Sequence, residues 1–519
     1  MTDNVPPVAP GLDPREAQSF PQLIRAVARA YGDRPAIILR SGSGPDQTIS
    51  FADMERRSAE LARGMIARGV GKGSRVGLMI GNGPLFGVAF AAICRIGAIA
   101  IPISTLIRSN ELIRVLRQSD VGGLIVEHDV MGHDMIARLC EALPDLAASA
   151  SPDLRIGAVP FLRWIACEGG EAPGSIQPLS FLGDAAATVS EALLQQVEAN
   201  VHPTDQMIEI YTSGSMALPK GVRHNHGPSL ARIHYLADVA TYRTGDERPI
   251  GLPMFWIGGL GFLFLPQFSR GVTSVCNEKA ATNSRRALGS VLAAEDLQAP
   301  SPEEKIWAIG MTETFGPYDY SDVLRVPGYP LTSPLDHFAP GFEVRLWADG
   351  HEAAEGERGE IQVRGHALTP GLHKVERDKY FEPDGFYRTG DMAVREGGRI
   401  HFVGRAGDMI KSASANVSPA EVEMELQEME GVHSAYVVGI PDKERGLLVV
   451  AAVVPRDGCD LDFVSIEKRL RKRLSGFKVP RHFVAIGRDE VPMLVTNKVS
   501  RRDIERMMIE KLGRKEVSA

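Results

Sequence analysis

The first quarter of the chain alternates between apolar patterns of two kinds. Apolar side chains recur at helical spacing over Phe20–Tyr31 and Phe51–Gly69, whereas Ser74–Ile80, Ala98–Ile103 and Gly122–Glu127 have the short apolar runs of buried strands. Helices and strands that alternate along a chain are typical of a parallel sheet with helices on its faces. The sequence therefore predicts an α/β fold built on parallel sheets.

The rest of the chain has different patterns. Short β-type runs separated by Gly and Pro from Phe342 to Gly404 predict a small antiparallel subdomain, and Leu154–Ile165 is expected to be extended. Two apolar runs and the basic helix Val464–Leu474 then predict a small α+β unit. Because 519 residues exceed what one core usually serves, we predict a large N-terminal domain of several subdomains (residues 1–406) and a small C-terminal domain (residues 407–519).

Charge and composition exclude several classes of protein. The net charge of -7 argues against a nucleic-acid partner. The most apolar window, Pro84–Ile103, is interrupted by Arg95 and by glycines, so no integral membrane segment is expected. No signal peptide is visible near the N-terminus, and the 5 cysteines have no metal-ligand spacing. We expect a cytoplasmic protein, and the sequence leaves open whether it forms a homo-oligomer.

The stretch Ile210–Gly221 changes abruptly from apolar residues to small hydroxyl residues and glycine, and then to Lys220. Hydroxyls and backbone N–H groups of such a loop can surround phosphate oxygens, and a lysine adds a mobile positive charge. Taken alone, the same stretch is more typical of a surface turn. Its interpretation depends on other motifs.

Four such motifs follow in order: Gly-Met-Thr-Glu at 310–313, Tyr-Arg-Thr-Gly-Asp at 387–391, Gly-Arg at 404–405, and Lys498. Together with the central loop they resemble the adenylate-forming superfamily, which contains acyl-CoA synthetases, stand-alone adenylation domains and luciferase-like enzymes. The resemblance runs from about Phe20 to about Arg502.

The resemblance implies a reaction in two halves and a role for each motif. A carboxylate attacks the α-phosphate of ATP and expels pyrophosphate, and the thiol of coenzyme A then attacks the acyl-adenylate. The implied ligands are a small carboxylic acid, ATP, Mg²⁺ and coenzyme A. In this reading the phosphates are held by Thr212, Ser213, Gly214, Ser215 and Lys220. The metal ligand is Glu313, since a hard cation prefers carboxylate oxygen.

Further roles follow from the same resemblance. Thr312 would reach the α-phosphate, Asp391 the ribose hydroxyls, and Arg405 the ribose or the phosphates. Lys498, in the C-terminal domain, would bridge the carboxylate and the α-phosphate.

The family's small domain is mobile, and it turns about a hinge that falls at Gly407. Glycine permits the required backbone change. Lys411 would line the thiol tunnel, and Gly310 and Trp256 would border the acyl pocket. A buried core tryptophan is an equally good interpretation of Trp256.

The chain also departs from the family pattern. Met216 and Ala217 stand where Thr and Gly are usual, and the segment between Thr212 and Thr312 is shorter than usual because residues 276–305 replace a longer region. We predict an AMP-forming acid–thiol ligase, that is, an acyl-CoA synthetase. Two alternatives stay open: an adenylating enzyme that loads a carrier-protein thiol, and a nucleotide-binding scaffold without turnover.

Overall fold

A computed structural model gives the structure of the protein. It describes residues 11–42, 44–212, 219–277, 309–319, 331–334, 338–405, 410–412, 415–417, 419–442, 444–492 and 499–513.

A seven-stranded sheet forms the centre of the N-terminal region. Its strands lie in the order Lys220–Asn225, Gln206–Thr212, Ile99–Pro102, Arg75–Met79, Gly123–Glu127, Trp164–Glu168 and Gln177–Pro178. All neighbours are parallel except the first pair, which forms an antiparallel hairpin at one edge. The predicted parallel sheet is therefore confirmed.

A four-stranded sheet lies beside it, in the order Glu247–Pro249, Thr273–Asn277, Pro35–Arg40 and Gln47–Ser50. The α-helices of the N-terminal region are Phe20–Tyr31, Phe51–Ala67, Pro84–Arg95, Ser109–Gln118, Met135–Ala142, Asp145–Ala148, Ser180–Ala186, Glu191–Ala199, His226–Val239 and Leu265–Ser269. Many of their apolar faces join one core with the sheets. Phe20–Tyr31 has the bounds that its periodicity predicts, because its apolar side chains face that core.

One local expectation was wrong. The strand of the 154–165 region begins only at Trp164, and the residues before it form turns. Leu154 N donates to Arg163 O over 2.8 Å, which closes this segment on itself instead of pairing it with the sheet.

The predicted antiparallel subdomain is confirmed as a six-stranded sheet. Its order is Leu331–Pro334, Arg399–Arg405, Tyr387–Glu396, Arg358–Arg364, Glu343–Ala348 and His351–Glu352. A short hairpin, Ile309–Met311 with Gly316–Asp319, lies between this subdomain, whose core includes Tyr318, and the π-helix Gly258–Phe264.

The C-terminal α+β region has a five-stranded sheet of Ala415–Val417, Ile410–Ser412, Gly446–Pro455, Val432–Asp442 and His482–Ala485. Its helices are Pro419–Gln427, Phe463–Arg473 and Arg501–Lys511. It has its own core clusters. The domain boundary at 406/407 falls outside the described residues and stays a prediction.

Within the described ranges, no helix is both long and apolar enough to cross a membrane.

Candidate functional site

The edge hairpin brings two predicted phosphate ligands face to face. Thr212 ends the strand Gln206–Thr212 and pairs directly with Lys220, the first residue of the return strand. The predicted phosphate loop therefore leaves and rejoins the sheet at one place. Both side chains are half-buried, so they can contact a ligand beyond the sheet edge.

Thr312 and Glu313 lie on a one-turn 3₁₀-helix, Thr312–Thr314, that caps the short hairpin. The Thr314 hydroxyl donates to Gly316 O over 2.6 Å, and Phe315 has a φ of 53°, so the chain reverses sharply here. Glu313 is buried with 7% of its surface exposed, whereas Thr312 is half-buried. Thr312 is therefore the more accessible of the two.

Two tyrosines connect Glu313 with Lys220. The Tyr387 hydroxyl donates to Glu313 Oε1 over 2.9 Å, and the Tyr387 ring lies nearly parallel to that of Tyr380, with their centroids 6.2 Å apart. The Lys220 ammonium lies 4.2 Å from the centroid of the Tyr380 ring. The predicted metal ligand and the predicted phosphate lysine thus belong to one cluster.

Hydrogen bonds to backbone carbonyl groups fix the 3₁₀ turn Thr312–Thr314 to the edge hairpin of Gln206–Thr212 and Lys220–Asn225. His224 Nε2 is 2.7 Å from Thr312 O, and burial lowers the pKa of His224 to about 4 although this hydrogen bond opposes the shift. The imidazole is therefore neutral at physiological pH and donates to the carbonyl. Thr369 N donates to Glu313 O over 2.7 Å while its hydroxyl donates to Arg223 O, also over 2.7 Å. Thr369 therefore joins the two elements.

A buried network of charged side chains lies beneath the edge hairpin. Glu209 is fully buried and accepts from Arg75 Nη1 over 2.7 Å and from the Tyr211 hydroxyl over 2.6 Å. Burial, followed by the charge of Glu209, raises the pKa of Tyr211. Arg75 also lies 3.0 Å from His373 Nδ1, and His373 N donates to Gly221 O over 2.7 Å. This network fastens the base of the predicted phosphate loop to the antiparallel subdomain.

Asp391 lies on the same strand as Tyr387. Tyr387, Thr389 and Asp391 are all buried, whereas Arg388 and Gly390 between them are half-buried. Asp391 pairs with Arg405 in the neighbouring strand. The two predicted ribose residues, Asp391 and Arg405, are therefore neighbours. Asp391 also lies four residues after Tyr387, which donates to Glu313.

Trp256 precedes a π-helix, Gly258–Phe264. It is half-buried and makes an edge-to-face contact with Phe255, with the ring centroids 5.4 Å apart. A β-carbon on Gly261 would come within 3.0 Å of the Phe315 ring, so the π-helix packs closely on the turn that carries Glu313. π-Helices are rare and often occur at functional sites, which favours the interpretation of Trp256 as a pocket residue.

Comparison with known proteins decides the family. Residues 24–299 match the AMP-binding enzyme family, and residues 421–498 match the AMP-binding enzyme C-terminal domain. The first match alone covers more than half of the 519 residues. The chain belongs to the AMP-binding enzyme family.

Relatives of this AMP-binding enzyme include a feruloyl-CoA synthase of an Amycolatopsis species, 28% identical, with 92% of this chain and 97% of the relative covered. A salicyl-AMP ligase / salicyl-S-ArCP synthetase of Mycobacterium tuberculosis is 27% identical, with 94% and 89% covered. A solved o-succinylbenzoate CoA synthetase of Bacillus subtilis, bound with a product analogue, has a TM-score of 0.72 at 21% identity and covers 92% of this chain and 97% of its own. At that identity the structural likeness establishes the fold.

The remaining predicted site residues of the AMP-binding enzyme lie on other strands or outside the described residues. Lys411 is exposed on the strand Ile410–Ser412 of the C-terminal sheet. Gly310 pairs with Pro317 so closely that a β-carbon would lie 2.4 Å from Pro317 Cα. The positions outside the described residues are Ser213, Gly214, Ser215, Gly407 and Lys498, and Arg405 is described in its backbone alone.

Sequence reasoning missed the residues that connect the cluster. Tyr387 belongs to the Tyr-Arg-Thr-Gly-Asp motif, and its alternation with Asp391 along a strand was a usable signal. Tyr380, His224 and Thr369 carried no such signal, because their partners are distant in the chain.

Proposed function

We propose that this AMP-binding enzyme is an ATP-dependent carboxylate–CoA ligase that forms an acyl-AMP intermediate and then an acyl-CoA thioester, with release of AMP and pyrophosphate. The observation that carries the proposal is the convergence of Lys220 and Glu313 on one tyrosine pair. A lysine ammonium and a carboxylate that lie close together at the base of a loop can bind the phosphates of ATP and their metal counter-ion, respectively.

In this proposal the protein contributes position and charge, because phosphoryl and adenylyl transfer ask for little covalent chemistry from side chains. Lys220 and Thr212 would hold the β- and γ-phosphates together with Ser213, Gly214 and Ser215. The Thr312 hydroxyl would donate to the α-phosphate, where negative charge grows as the carboxylate attacks. Asp391 would hold the ribose, with Arg405.

Glu313 suits a magnesium ion. One oxygen of its carboxylate accepts from Tyr387, and among the described residues the other oxygen accepts no hydrogen bond. A hard cation needs such an oxygen ligand. When bound, Mg²⁺ would neutralise phosphate charge.

The C-terminal domain would supply Lys498 for adenylation and Lys411 for the thiol tunnel, with Gly407 as the hinge. Trp256 and Gly310 would border the pocket for a small carboxylic acid. Matches to CoA synthases and ligases support coenzyme A as the acceptor. The salicyl-AMP ligase relative, whose name includes transfer to a carrier protein, supports the second candidate, a carrier-loading enzyme.

Pyrophosphate release over a panel of carboxylic acids, with and without coenzyme A, tests these readings. The panel should begin with ferulate and salicylate, which the names of relatives suggest. We expect release with at least one acid and thioester formation when coenzyme A is present. Release without a thioester would favour carrier loading, and no release with any acid would favour the scaffold.

A further inference from the structure

The proposed phosphate lysine, Lys220, contacts the ring of Tyr380. Lys220 Nζ lies over the ring face at 4.2 Å from the centroid. Among the described residues, no carboxylate lies within ion-pair distance of this ammonium. An aromatic face attracts a cation, and at exposed sites this attraction is modest. Within the described ranges, phosphates would therefore displace no counter-charge from this ammonium.

A turn in the antiparallel subdomain positions the Tyr380 ring. The sequence Glu382-Pro-Asp-Gly385 has the composition of a tight turn, and Gly385 has a φ of 89°. Arg388 N donates to Tyr380 O over 2.8 Å across this turn. The backbone thus fixes Tyr380 beside Tyr387.

Tyr387 in turn restricts the orientation of Glu313. It is 2% exposed, and its hydroxyl reaches Glu313 Oε1 at 2.9 Å. A carboxylate that accepts a hydrogen bond from a buried hydroxyl has a restricted orientation. Hydrogen-bond partners behind metal ligands usually fix the orientation of those ligands in this way. The two tyrosines therefore act on two different residues, the proposed phosphate lysine Lys220 and the proposed metal ligand Glu313.

We propose that the Tyr380 ring is the resting site of the Lys220 ammonium, that Tyr387 is a positioning residue for Glu313, and that the triphosphate of ATP draws Lys220 off the ring. The last part rests on the proposed function. The resting site itself concerns the free protein and can be tested separately.

NMR of the protein with ¹³C-dimethylated lysines tests the resting site. The Lys220 methyl signal, assigned with Lys220→Arg, should be shifted upfield by the ring current in the free protein and in Tyr380→Phe, which keeps the ring. In Tyr380→Leu it should move to the position of a solvated lysine. A signal that is unshifted in the free protein, or unchanged in Tyr380→Leu, would overturn the resting site.

Calorimetry with ATP and Mg²⁺, without any acid, tests the movement of Lys220. Because the ring competes with the phosphates, Tyr380→Leu should bind ATP about twofold to fivefold more tightly, whereas Tyr380→Phe should match the wild type. Weaker binding in Tyr380→Leu would show that the ring acts in the bound state and would overturn the movement. Absence of ATP binding in the wild type and in every variant would refute the proposed function, whereas the resting site shown by NMR in the free protein would still stand.

Tyr387→Phe tests the positioning role, because it removes the hydroxyl and keeps the ring. Mn²⁺ binding in the presence of ATP, followed by electron paramagnetic resonance, should weaken about tenfold, while ATP binding in EDTA should be unchanged. Equal weakening in both conditions, or none in either, would refute the role. Thermal unfolding of each variant should stay cooperative.

Discussion

Gly221 lies at the base of the proposed phosphate loop, where two side chains approach its backbone closely. A β-carbon at this position would lie 2.6 Å from Glu209 Oε1 and 2.9 Å from the Tyr211 hydroxyl. Neither neighbour can move easily, since Glu209 is fixed by Arg75 at 2.7 Å and by Tyr211 itself at 2.6 Å. The fixed side chains of Glu209 and Tyr211 therefore require glycine here.

Gly221→Ala should lower the free energy of unfolding by about 1–3 kcal/mol, the usual cost of overpacking a fixed site, and should weaken ATP binding. Urea unfolding and calorimetry measure the two effects. Gly183→Ala is the matched control: in the helix Ser180–Ala186 its β-carbon would approach nothing closer than Glu60 Oε1 at 3.7 Å. The control should gain roughly 0.5–1 kcal/mol. Equal stability of Gly221→Ala and the wild type would contradict the prediction.

His226 makes stability depend on pH. It is fully buried, and its Nδ1 accepts from Phe20 N over 3.2 Å. Burial lowers the pKa of His226 to about 3 from an ordinary 6.5. Between these values the unfolded chain binds a proton that the folded protein does not. The stabilisation is therefore complete above pH 6.5 and is lost as the pH falls toward 3.

In this range His226 should contribute a slope of up to about 1.4 kcal/mol per pH unit to the free energy of unfolding. His226→Asn keeps an acceptor for Phe20 N but cannot titrate, so its slope should be smaller by up to that amount. Urea unfolding at a series of pH values below 6.5 measures the difference. Parallel curves for the two proteins would exclude this role.

At the scale of elements, four helices meet at the fully buried Arg95. Its guanidinium donates to Glu198 Oε1 over 2.6 Å, to Glu55 Oε1 over 2.7 Å and to the Ser58 hydroxyl over 2.8 Å. Glu198 also accepts from Arg25 at 2.5 Å. The helices Phe20–Tyr31, Phe51–Ala67, Pro84–Arg95 and Glu191–Ala199 each supply a member.

Glu198→Gln should destabilise the protein by about 3–5 kcal/mol, because it leaves a buried guanidinium undercompensated. Glu191→Gln on the same helix is the control. Glu191 has 50% of its side chain exposed and lies 3.3 Å from Arg25, so its removal should cost about 0–1 kcal/mol. Thermal unfolding of the pair separates the two. A similar small shift for both would mean that the cluster contributes little.

The elements show where sequence reasoning succeeds. Helices and strands with strong periodicity, such as Phe20–Tyr31 and Arg75–Met79, were predicted because burial of one face fixes the apolar spacing. The extended conformation predicted for Leu154–Ile165 was wrong, because the apolar side chains of a segment that forms turns follow the same sequence pattern as those of a strand. Arg95 was read as a residue that interrupts an apolar run, and its partner Glu198 is 103 residues away.

The candidate site follows the same rule. Local motifs predicted Lys220, Thr312 and Glu313, which the structure places around one cluster. The Tyr387–Glu313 hydrogen bond spans 74 residues and depends on how the antiparallel subdomain packs. No local pattern in a single sequence specifies such a contact.

At the scale of the whole molecule, the C-terminal region docks on the N-terminal region through buried charges. Lys478 Nζ lies 2.7 Å from Glu111 Oε1 and 2.9 Å from Glu421 Oε1. Burial opposes the charge of Lys478, yet these two carboxylates raise its pKa above the ordinary value. The Ser475 hydroxyl also donates to Glu111 Oε2 over 2.8 Å. Glu111 is thus the N-terminal half of a charged contact between the two regions.

If the C-terminal domain turns between half-reactions, as proposed, this contact must break in one of its positions. Glu111→Gln removes the charge and keeps a side chain that can cap the helix Ser109–Gln118. Docking should weaken by about 1.5–3 kcal/mol, which favours undocked molecules by at least tenfold. Amide exchange should rise together in that helix and in Phe463–Arg473, which lies against it.

The catalytic consequence separates docking from general stability. Because docking favours one domain position, Glu111→Gln should change the ratio of pyrophosphate release to thioester formation from supplied acyl-AMP. Glu428→Gln is the control, since Glu428 is 51% exposed and pairs with Arg473 within the C-terminal region. It should leave both exchange and ratio unchanged. Faster exchange in Glu111→Gln with an unchanged ratio would mean that docking holds the two regions together without selecting a half-reaction.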